Sequence, residues 1–138
     1  MTTASRGGFE FDSFWLQDSK PQFLMKNKYS DEIIDLLRGT YPELANAYRL
    51  EFKNFFGAAV GYVDGNIFVS CGGFGVALKL PAQTLDELFA MEDVEHLKYF
   101  SKGHIKKEYA VLPERILKDE KQFKKLVDES TKFVTKSS

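Results

Sequence analysis

The sequence is poor in cysteine, histidine and proline, and it has no long apolar run. A single cysteine among 138 residues excludes an internal disulfide and a cysteine-rich metal site. It is also typical of a reducing compartment, so we expect a cytoplasmic protein. No run approaches the roughly eighteen apolar residues that cross a bilayer, and the N-terminus lacks the layout of a signal peptide. We therefore expect no membrane insertion.

The charges are balanced, with 19 basic and 20 acidic residues and a net charge of -1. A chain without excess positive charge has no long-range attraction to a polyanion, so we do not expect direct binding to nucleic acid. The two histidines, His96 and His104, lie in segments predicted to be solvent-exposed, and no nucleophile is paired with a base in a recognisable motif. We therefore predict a non-catalytic domain without a metal or another cofactor.

Large apolar residues are abundant: the chain has 13 Phe and 6 Tyr, and hydrophobic residues make up 43% of it. This length suffices for one core of ordinary size. We interpret residues 1–29, whose aromatic side chains show no helical or strand periodicity, as an arm that packs on its own domain or on a neighbouring molecule. Exchange of the arm between protomers leaves a homodimer open. The candidate interaction residues of the arm are Phe9, Phe11, Phe14 and Trp15.

Residues 30–138 are predicted to form a single domain. Over residues 50–80 apolar side chains alternate with others, which indicates consecutive β-strands. Asp64-Gly65 suits a type I′ turn and Gly72-Gly73 suits a second tight reversal, so these strands form an antiparallel β-meander. A further alternating run at 105–111 predicts a strand at the sheet edge, which brings the total to about five to six strands.

Three amphipathic helices are predicted to cover this sheet. The first begins at the N-cap Ser30 and ends at Gly39. The second follows the meander and begins with a capping box formed by Thr84 and Glu87. The third is capped by Asp119. The predicted fold class is therefore α+β, an antiparallel meander flanked by N-terminal, middle and C-terminal helices.

Several stretches of the sequence occur in a distinctive order. In the meander they are Phe55-Phe56-Gly57, Tyr62-Val63-Asp64-Gly65-Asn66-Ile67-Phe68 and Gly75-Val76-Ala77-Leu78-Lys79-Leu80-Pro81. Later they are Tyr99-Phe100-Ser101-Lys102-Gly103 and Lys106-Lys107-Glu108-Tyr109-Ala110-Val111-Leu112-Pro113. Together they resemble the TfoX N-terminal domain-like family over residues 30–134. Their succession is more specific than any single stretch.

The resemblance implies a small α+β domain that is found alone or at the front of regulators of DNA-uptake competence. Those regulators have a second, C-terminal domain. This chain ends at Ser138 without room for a second domain, so we expect a single-domain member of the family. The resemblance brings no established catalytic residue to this sequence.

Two features of the meander have structural explanations. Cys71 alternates with Ile67 and Val69, so we predict a buried thiol that packs as a small hydrophobic residue. The glycines that follow Cys71 precede a strand pattern and no Gly-Lys-Ser/Thr motif, which argues against a phosphate-binding loop.

The most distinctive polar segment is 98–107, where basic residues follow an acidic stretch at 86–95. One interpretation is a solvated loop and strand edge whose lysines prevent aggregation. The other is a docking patch for an acidic partner or a phosphate-bearing ligand. Alternation places Lys107 on the face of Tyr109, so its ammonium group must reach solvent or find a partner. The candidate binding residues are Lys98, Lys102, His104, Lys106, Lys107 and Tyr109.

Two functional hypotheses follow from the sequence. The first is a non-catalytic binding or regulatory domain that acts through protein contacts, linked by the family resemblance to regulation of DNA-uptake competence or transcription. The second is a small-ligand-binding or enzymatic domain whose polar groups converge only in the folded chain. The expected contributors to such a site are Tyr62, His104, Lys107 and Tyr109.

Overall fold

The structure, a computed structural model, describes residues 28–100 and 102–136. The predicted arm residues Phe9, Phe11, Phe14 and Trp15 lie outside the described residues. In chain order the elements are α1 (Lys28–Thr40), α2 (Leu44–Ala47), β1 (Leu50–Phe55), β2 (Ala58–Val63), β3 (Asn66–Gly72), β4 (Gly75–Lys79), α3 (Ala82–Phe89), β5 (Glu95–Leu97), β6 (Lys106–Leu112), α4 (Glu114–Leu117) and α5 (Glu120–Lys136). No helix among the described residues is long and apolar enough to span a bilayer.

The six strands form one antiparallel sheet in the order β1-β2-β3-β4-β6-β5. The first four strands are consecutive neighbours, which confirms the predicted meander, and the α+β fold class is also confirmed. Strand β6 lies between β4 and β5, so the prediction that this segment forms the sheet edge is wrong. The edge strand on this side of the sheet is β5, whose three residues are too few to produce a recognisable alternation.

Both ends of β2 are set by turns with positive φ angles. The predicted type I′ turn between β2 and β3 is confirmed, with φ of 50° at Asp64 and 85° at Gly65. The Asp64 carboxylate also accepts a hydrogen bond of 2.8 Å from the backbone N–H of Arg49. The turn between β1 and β2 has the same signature, with φ of 52° at Phe56 and 83° at Gly57.

The reversal between β3 and β4 lies one residue later than the sequence predicts. Gly72 and Gly75 pair across the hairpin, so Gly73 and Phe74 form its two-residue loop. Because Phe74 is in the turn, its ring is free of the strand alternation. It packs against the smaller cluster on the face opposite the helices.

A register shift between β2 and β3 changes which side chains share a face. Strand β3 has one extra residue, Phe68, between the partners of two consecutive residues of β2. Ile67 therefore packs with the smaller cluster, whereas Val69 and Cys71 face the helices, so simple alternation is wrong for Ile67. The predicted burial of Cys71 is confirmed, and burial raises the pKa of its thiol to about 12.

Helices α1, α3 and α5 all contribute to one core against the sheet. The apolar faces predicted for them are buried, for example at Leu37, Leu88 and Phe123. The buried hydroxyl of Ser130 in α5 donates to two backbone carbonyls, those of Phe68 at 3.1 Å and Lys79 at 2.6 Å. This side chain therefore ties the last helix to β3 and β4.

The ends of the helices differ in part from the predicted ones. Ser30 and Gly39 both lie inside α1, which runs from Lys28 to Thr40. Pro81 is the N-cap of α3 and no side chain caps this helix, because the Thr84 hydroxyl instead donates to Glu129 of α5 at 2.7 Å. The cap of α5 is confirmed, since the carboxylate of the preceding Asp119 accepts a hydrogen bond of 3.2 Å from the N–H of Gln122.

Candidate functional site

Five aromatic side chains meet at the end of the sheet where the β1–β2 and β3–β4 turns lie. The first hairpin provides Phe55 and Phe56, the second provides Phe74, and the segment after β5 provides Tyr99 and Phe100. We call these five residues the aromatic patch. Their rings contact one another edge to face, with centroid distances from 4.6 to 5.5 Å. This is a preferred geometry of aromatic pairs, so the patch is one continuous surface.

Much of the aromatic patch is open to solvent. Phe56 is 73% exposed, Phe100 is 54% exposed and Phe55 is 42% exposed. Between these rings and Tyr99 lies a cavity of about 250 Å³. A second cavity of about 400 Å³ adjoins it on the side of Phe74. Contiguous exposed apolar surface of this kind is a mark of an interaction site.

The backbone conformation of Phe56 also indicates a functional role for this turn. Its φ of 52° lies in the left-handed region, which is strained for a bulky residue and favours glycine or asparagine. Because the ring is mostly exposed, burial does not offset that strain. Backbone strain clusters at functional sites. The turn therefore presents an aromatic ring to solvent where local stability favours a small polar residue.

A partly buried hydrogen bond fixes the segment after β5 to the sheet. Ser70 of β3 is fully buried on the face opposite the helices, and its register partners across the sheet are Val60 and Ala77. The Ser70 and Tyr99 hydroxyls lie 2.7 Å apart. Burial raises the pKa of Tyr99, so this phenol stays protonated at neutral pH. The bond fixes Tyr99 at the base of the patch, and the next residue, Phe100, lies at its exposed surface.

Basic side chains border the aromatic patch. His104 and Lys106 line the smaller cavity, and Lys98 lines the larger one; we call these three the basic rim. Lys102 is exposed in the same segment. Within the described residues neither rim lysine takes part in an ion pair, nor does Lys102. Their charges are therefore open to an anionic group that enters the site.

The structure brings together three of the six residues in the predicted binding patch, namely the basic rim. Lys107 is exposed, as expected for a lysine that must reach solvent, but it lines neither cavity. Tyr109 is only 9% exposed, and burial raises the pKa of its phenol. Tyr109 therefore supports the sheet beneath the site.

The alternative set of ligand-binding residues does not share a cavity at this end of the sheet. His104 lines the smaller cavity, whereas Tyr62, Lys107 and Tyr109 line neither cavity beside the patch. His96 is exposed as predicted, and its ring stacks on that of Phe89 at 4.0 Å. Across residues 28–100 and 102–136, no three His, Cys, Asp or Glu side chains are grouped to hold a metal ion.

Sequence reasoning missed the aromatic patch as a site. The signal that could have revealed it is the pair Phe55-Phe56 directly before Gly57, in the turn between β1 and β2. Alternation assigns only one of two consecutive residues to the core, and a turn exposes both. The contact of this pair with Tyr99 and Phe100 depends on the strand order, which alternation does not provide.

One family model, TfoX_N, described as the TfoX N-terminal domain, matches residues 43–134. The match covers two thirds of the chain and includes all six strands, the aromatic patch and the basic rim. No C-terminal TfoX domain is detected in the chain. No curated protein and no solved structure matches the chain.

Proposed function

The chain belongs to the TfoX N-terminal domain family, and from this premise we propose that it is a non-catalytic domain that binds a protein partner through the aromatic patch. The partner presents a segment with aromatic and acidic side chains. Its aromatic groups enter the cavity between the rings, and its carboxylates face the basic rim. This proposal keeps the protein-contact hypothesis and moves its surface from the arm and the segment 98–107 to the aromatic patch that the basic rim borders.

The observation that supports the proposal most is the exposed ring of Phe56. A mostly solvent-exposed phenylalanine at positive φ adds little buried area to the fold, and asparagine is preferred at the same turn position. At an interface the same ring contributes to affinity, because aromatic anchors in water-excluding pockets dominate the energy of binding. Phe100 contacts this ring at 5.3 Å and extends the same surface.

Size and charge favour a protein segment over a small metabolite. The smaller cavity, of about 250 Å³, is below the range of roughly 300–1,000 Å³ that is usual for small-molecule sites, and the adjoining cavity of about 400 Å³ is near the lower end of that range. The lining of the smaller cavity is mostly apolar, with the basic side chains at the border. Aromatic anchors with complementary charges around them are the usual anatomy of a protein interface.

The proposal includes the regulatory role that the family resemblance implies, in DNA-uptake competence or transcription. Regulation requires reversible contacts, and a patch of five aromatic residues suits a short partner segment better than a permanent interface. The proposed setting is the cytoplasm, in keeping with the single cysteine. Direct contact with nucleic acid is not part of the proposal, because the net charge is -1 and the basic rim is small.

A peptide-binding experiment tests the proposal. The probe is a fluorescently labelled synthetic peptide with alternating aromatic and acidic residues, titrated with the full chain and followed by fluorescence anisotropy. The comparison peptide has lysine at each acidic position. We expect the acidic peptide to bind at least about tenfold more tightly, equivalent to about 1.4 kcal/mol. Added salt should reduce the difference, because exposed charges are screened.

Two variants locate the binding site. Phe56→Asn removes the exposed ring, and Lys106→Glu reverses one charge of the basic rim; each should weaken binding of the acidic peptide. The matched control is Lys121→Glu, which makes the same charge change at an exposed position of α5. The proposal is wrong if neither peptide binds, or if all three variants bind the acidic peptide as the unaltered chain does.

A further inference from the structure

The sequence before α1 has the chemistry expected of a segment that binds the aromatic patch. Glu10 separates Phe9 from Phe11, Asp12 and Ser13 separate Phe11 from Phe14, and Trp15 directly follows Phe14, so two carboxylates lie among the four aromatic rings. These residues lie outside the part of the chain that the structure describes. Their composition of aromatic rings and carboxylates is complementary to the exposed rings of the patch and to the charges of the basic rim.

The position of α1 brings this segment within reach. Tyr29, in the first turn of α1, lines the larger cavity together with Phe56, Phe74 and Lys98. The chain therefore enters its first helix directly beside the aromatic patch. The 12 residues between Trp15 and Lys28 span up to roughly 40 Å when extended, which is ample for a return to the patch.

We propose that residues 9–15 bind to the aromatic patch of the same molecule and occupy it until a partner segment displaces them. A covalent connection of this length raises the effective concentration of the segment at the patch to about the millimolar range. A weak intrinsic affinity therefore suffices to keep the site occupied. A partner must compete with this tethered segment, so the segment sets the partner concentration at which the domain responds. This inference rests on the proposed function of the patch.

Trp15 provides the readout, because it is the only tryptophan in the chain. The experiment uses the full chain and records the emission maximum of Trp15 and its quenching by acrylamide. We expect emission shifted to the blue of the denatured protein. Phe56→Asn, Lys106→Glu and the double variant Glu10→Lys/Asp12→Lys should each shift the emission to the red and increase quenching. Lys121→Glu should leave both quantities unchanged, since Lys121 is in the first turn of α5 and lines neither cavity beside the patch.

Concentration distinguishes binding within one molecule from binding between molecules. We expect the emission of Trp15 to be independent of protein concentration and the mass in solution to be that of one chain. A blue shift that appears only as the mass doubles would mean exchange between two copies and would overturn the inference. Emission that is unaffected by both Phe56→Asn and Lys106→Glu would also overturn it, because the segment then does not occupy the patch.

The two proposals fail in different ways. If the acidic peptide binds and Phe56→Asn abolishes this binding while Trp15 does not respond, the proposed function stands and the inference is wrong. If Trp15 responds to the patch variants but a large excess of acidic peptide neither binds nor shifts its emission, the segment is a permanent part of the site and displacement is wrong. If the acidic peptide shifts the emission maximum of Trp15 to the red in the unaltered chain, the result supports both the proposed function and the inference about residues 9–15.

Discussion

The hydroxyls of Ser70 and Tyr99 lie 2.7 Å apart, so a fully buried side chain of β3 is bonded to the segment that completes the aromatic patch. Tyr99 contacts Phe55 and Phe74 at ring distances of 5.1 and 5.5 Å. The single hydrogen bond therefore fixes the ring that joins the two hairpin turns. It links the interior of the sheet to the surface that we propose binds a partner.

The first prediction concerns this bond. Tyr99→Phe leaves the buried Ser70 hydroxyl without its partner and should lower the free energy of unfolding by about 1–3 kcal/mol. It should also weaken binding of the acidic peptide, because the ring loses its fixed position. Urea denaturation measures the first effect. Adding Ser70→Ala to Tyr99→Phe should lower the free energy of unfolding by little more than Tyr99→Phe alone. If the effects of the two substitutions were simply additive, the structural role of this pair would be contradicted.

The second prediction separates stability from binding at Phe56. Phe56→Asn relieves the strain of a bulky residue at φ of 52° and places a preferred residue before Gly57. We expect the free energy of unfolding to stay the same or to rise by up to about 1 kcal/mol. The same variant should lose affinity for the acidic peptide. A loss of stability above about 1 kcal/mol would mean that the ring serves folding.

The third prediction concerns the link between α5 and the sheet. Ser130→Ala leaves the carbonyls of Phe68 and Lys79 without the buried hydroxyl that bonds to both. Thermal or urea unfolding should show a loss of about 1–3 kcal/mol. The matched control is Thr135→Ala, whose hydroxyl donates to the carbonyl of Thr131 within the same helix. Equal losses in both variants would count against a special role of Ser130.

The fourth prediction compares two glycines. A Cβ at Gly61 would lie 2.6 Å from Val69 Cγ1 and 2.7 Å from Phe52 Cε2. These atoms flank Gly61 across the sheet, so Gly61→Ala should lower the free energy of unfolding by about 1–3 kcal/mol. A Cβ at Gly39 meets no atom within 4 Å, and Gly39→Ala in α1 should be stabilising by about 0.5–1 kcal/mol. Equal effects at both sites would refute the packing argument.

The fifth prediction follows from the buried thiol of Cys71. The thiol titrates near 8.5 in the unfolded chain, whereas its pKa in the folded chain is about 12. Between these values the unfolded state binds fewer protons, so the free energy of unfolding falls as the pH rises. The contribution is complete below about pH 8.5. Denaturation curves at several pH values should show the decline, and Cys71→Ala should make it shallower. An unchanged slope in that variant would exclude the thiol as its source.

Periodicity in the sequence predicts most of the fold. Alternation and the Asp64-Gly65 turn indicate the meander, and helical spacing indicates the buried faces of the helices. Periodicity fails where the chain departs from regular geometry. The extra residue Phe68 moves Ile67 to the opposite face, and the three residues of β5 at the sheet edge are too few to alternate.

The site is harder to predict than the fold. The basic residues are visible as a cluster in the sequence, and Lys98, His104 and Lys106 do border the site. The aromatic patch, however, is assembled from two hairpin turns and the segment after β5. Its formation depends on the strand order and on the Ser70–Tyr99 hydrogen bond, which are both features of the tertiary structure. Local sequence patterns do not contain such long-range relationships.

The most direct test of the central claim, that the aromatic patch is the binding surface, is a two-dimensional NMR titration of the full chain with the acidic aromatic peptide. We predict that the largest chemical-shift changes fall in residues 55–57, 73–74 and 98–106, with small changes along the exposed face of α5. Shift changes centred instead on the groove between α3 and α5, which is lined by Thr84, Lys125 and Glu129, would contradict the account.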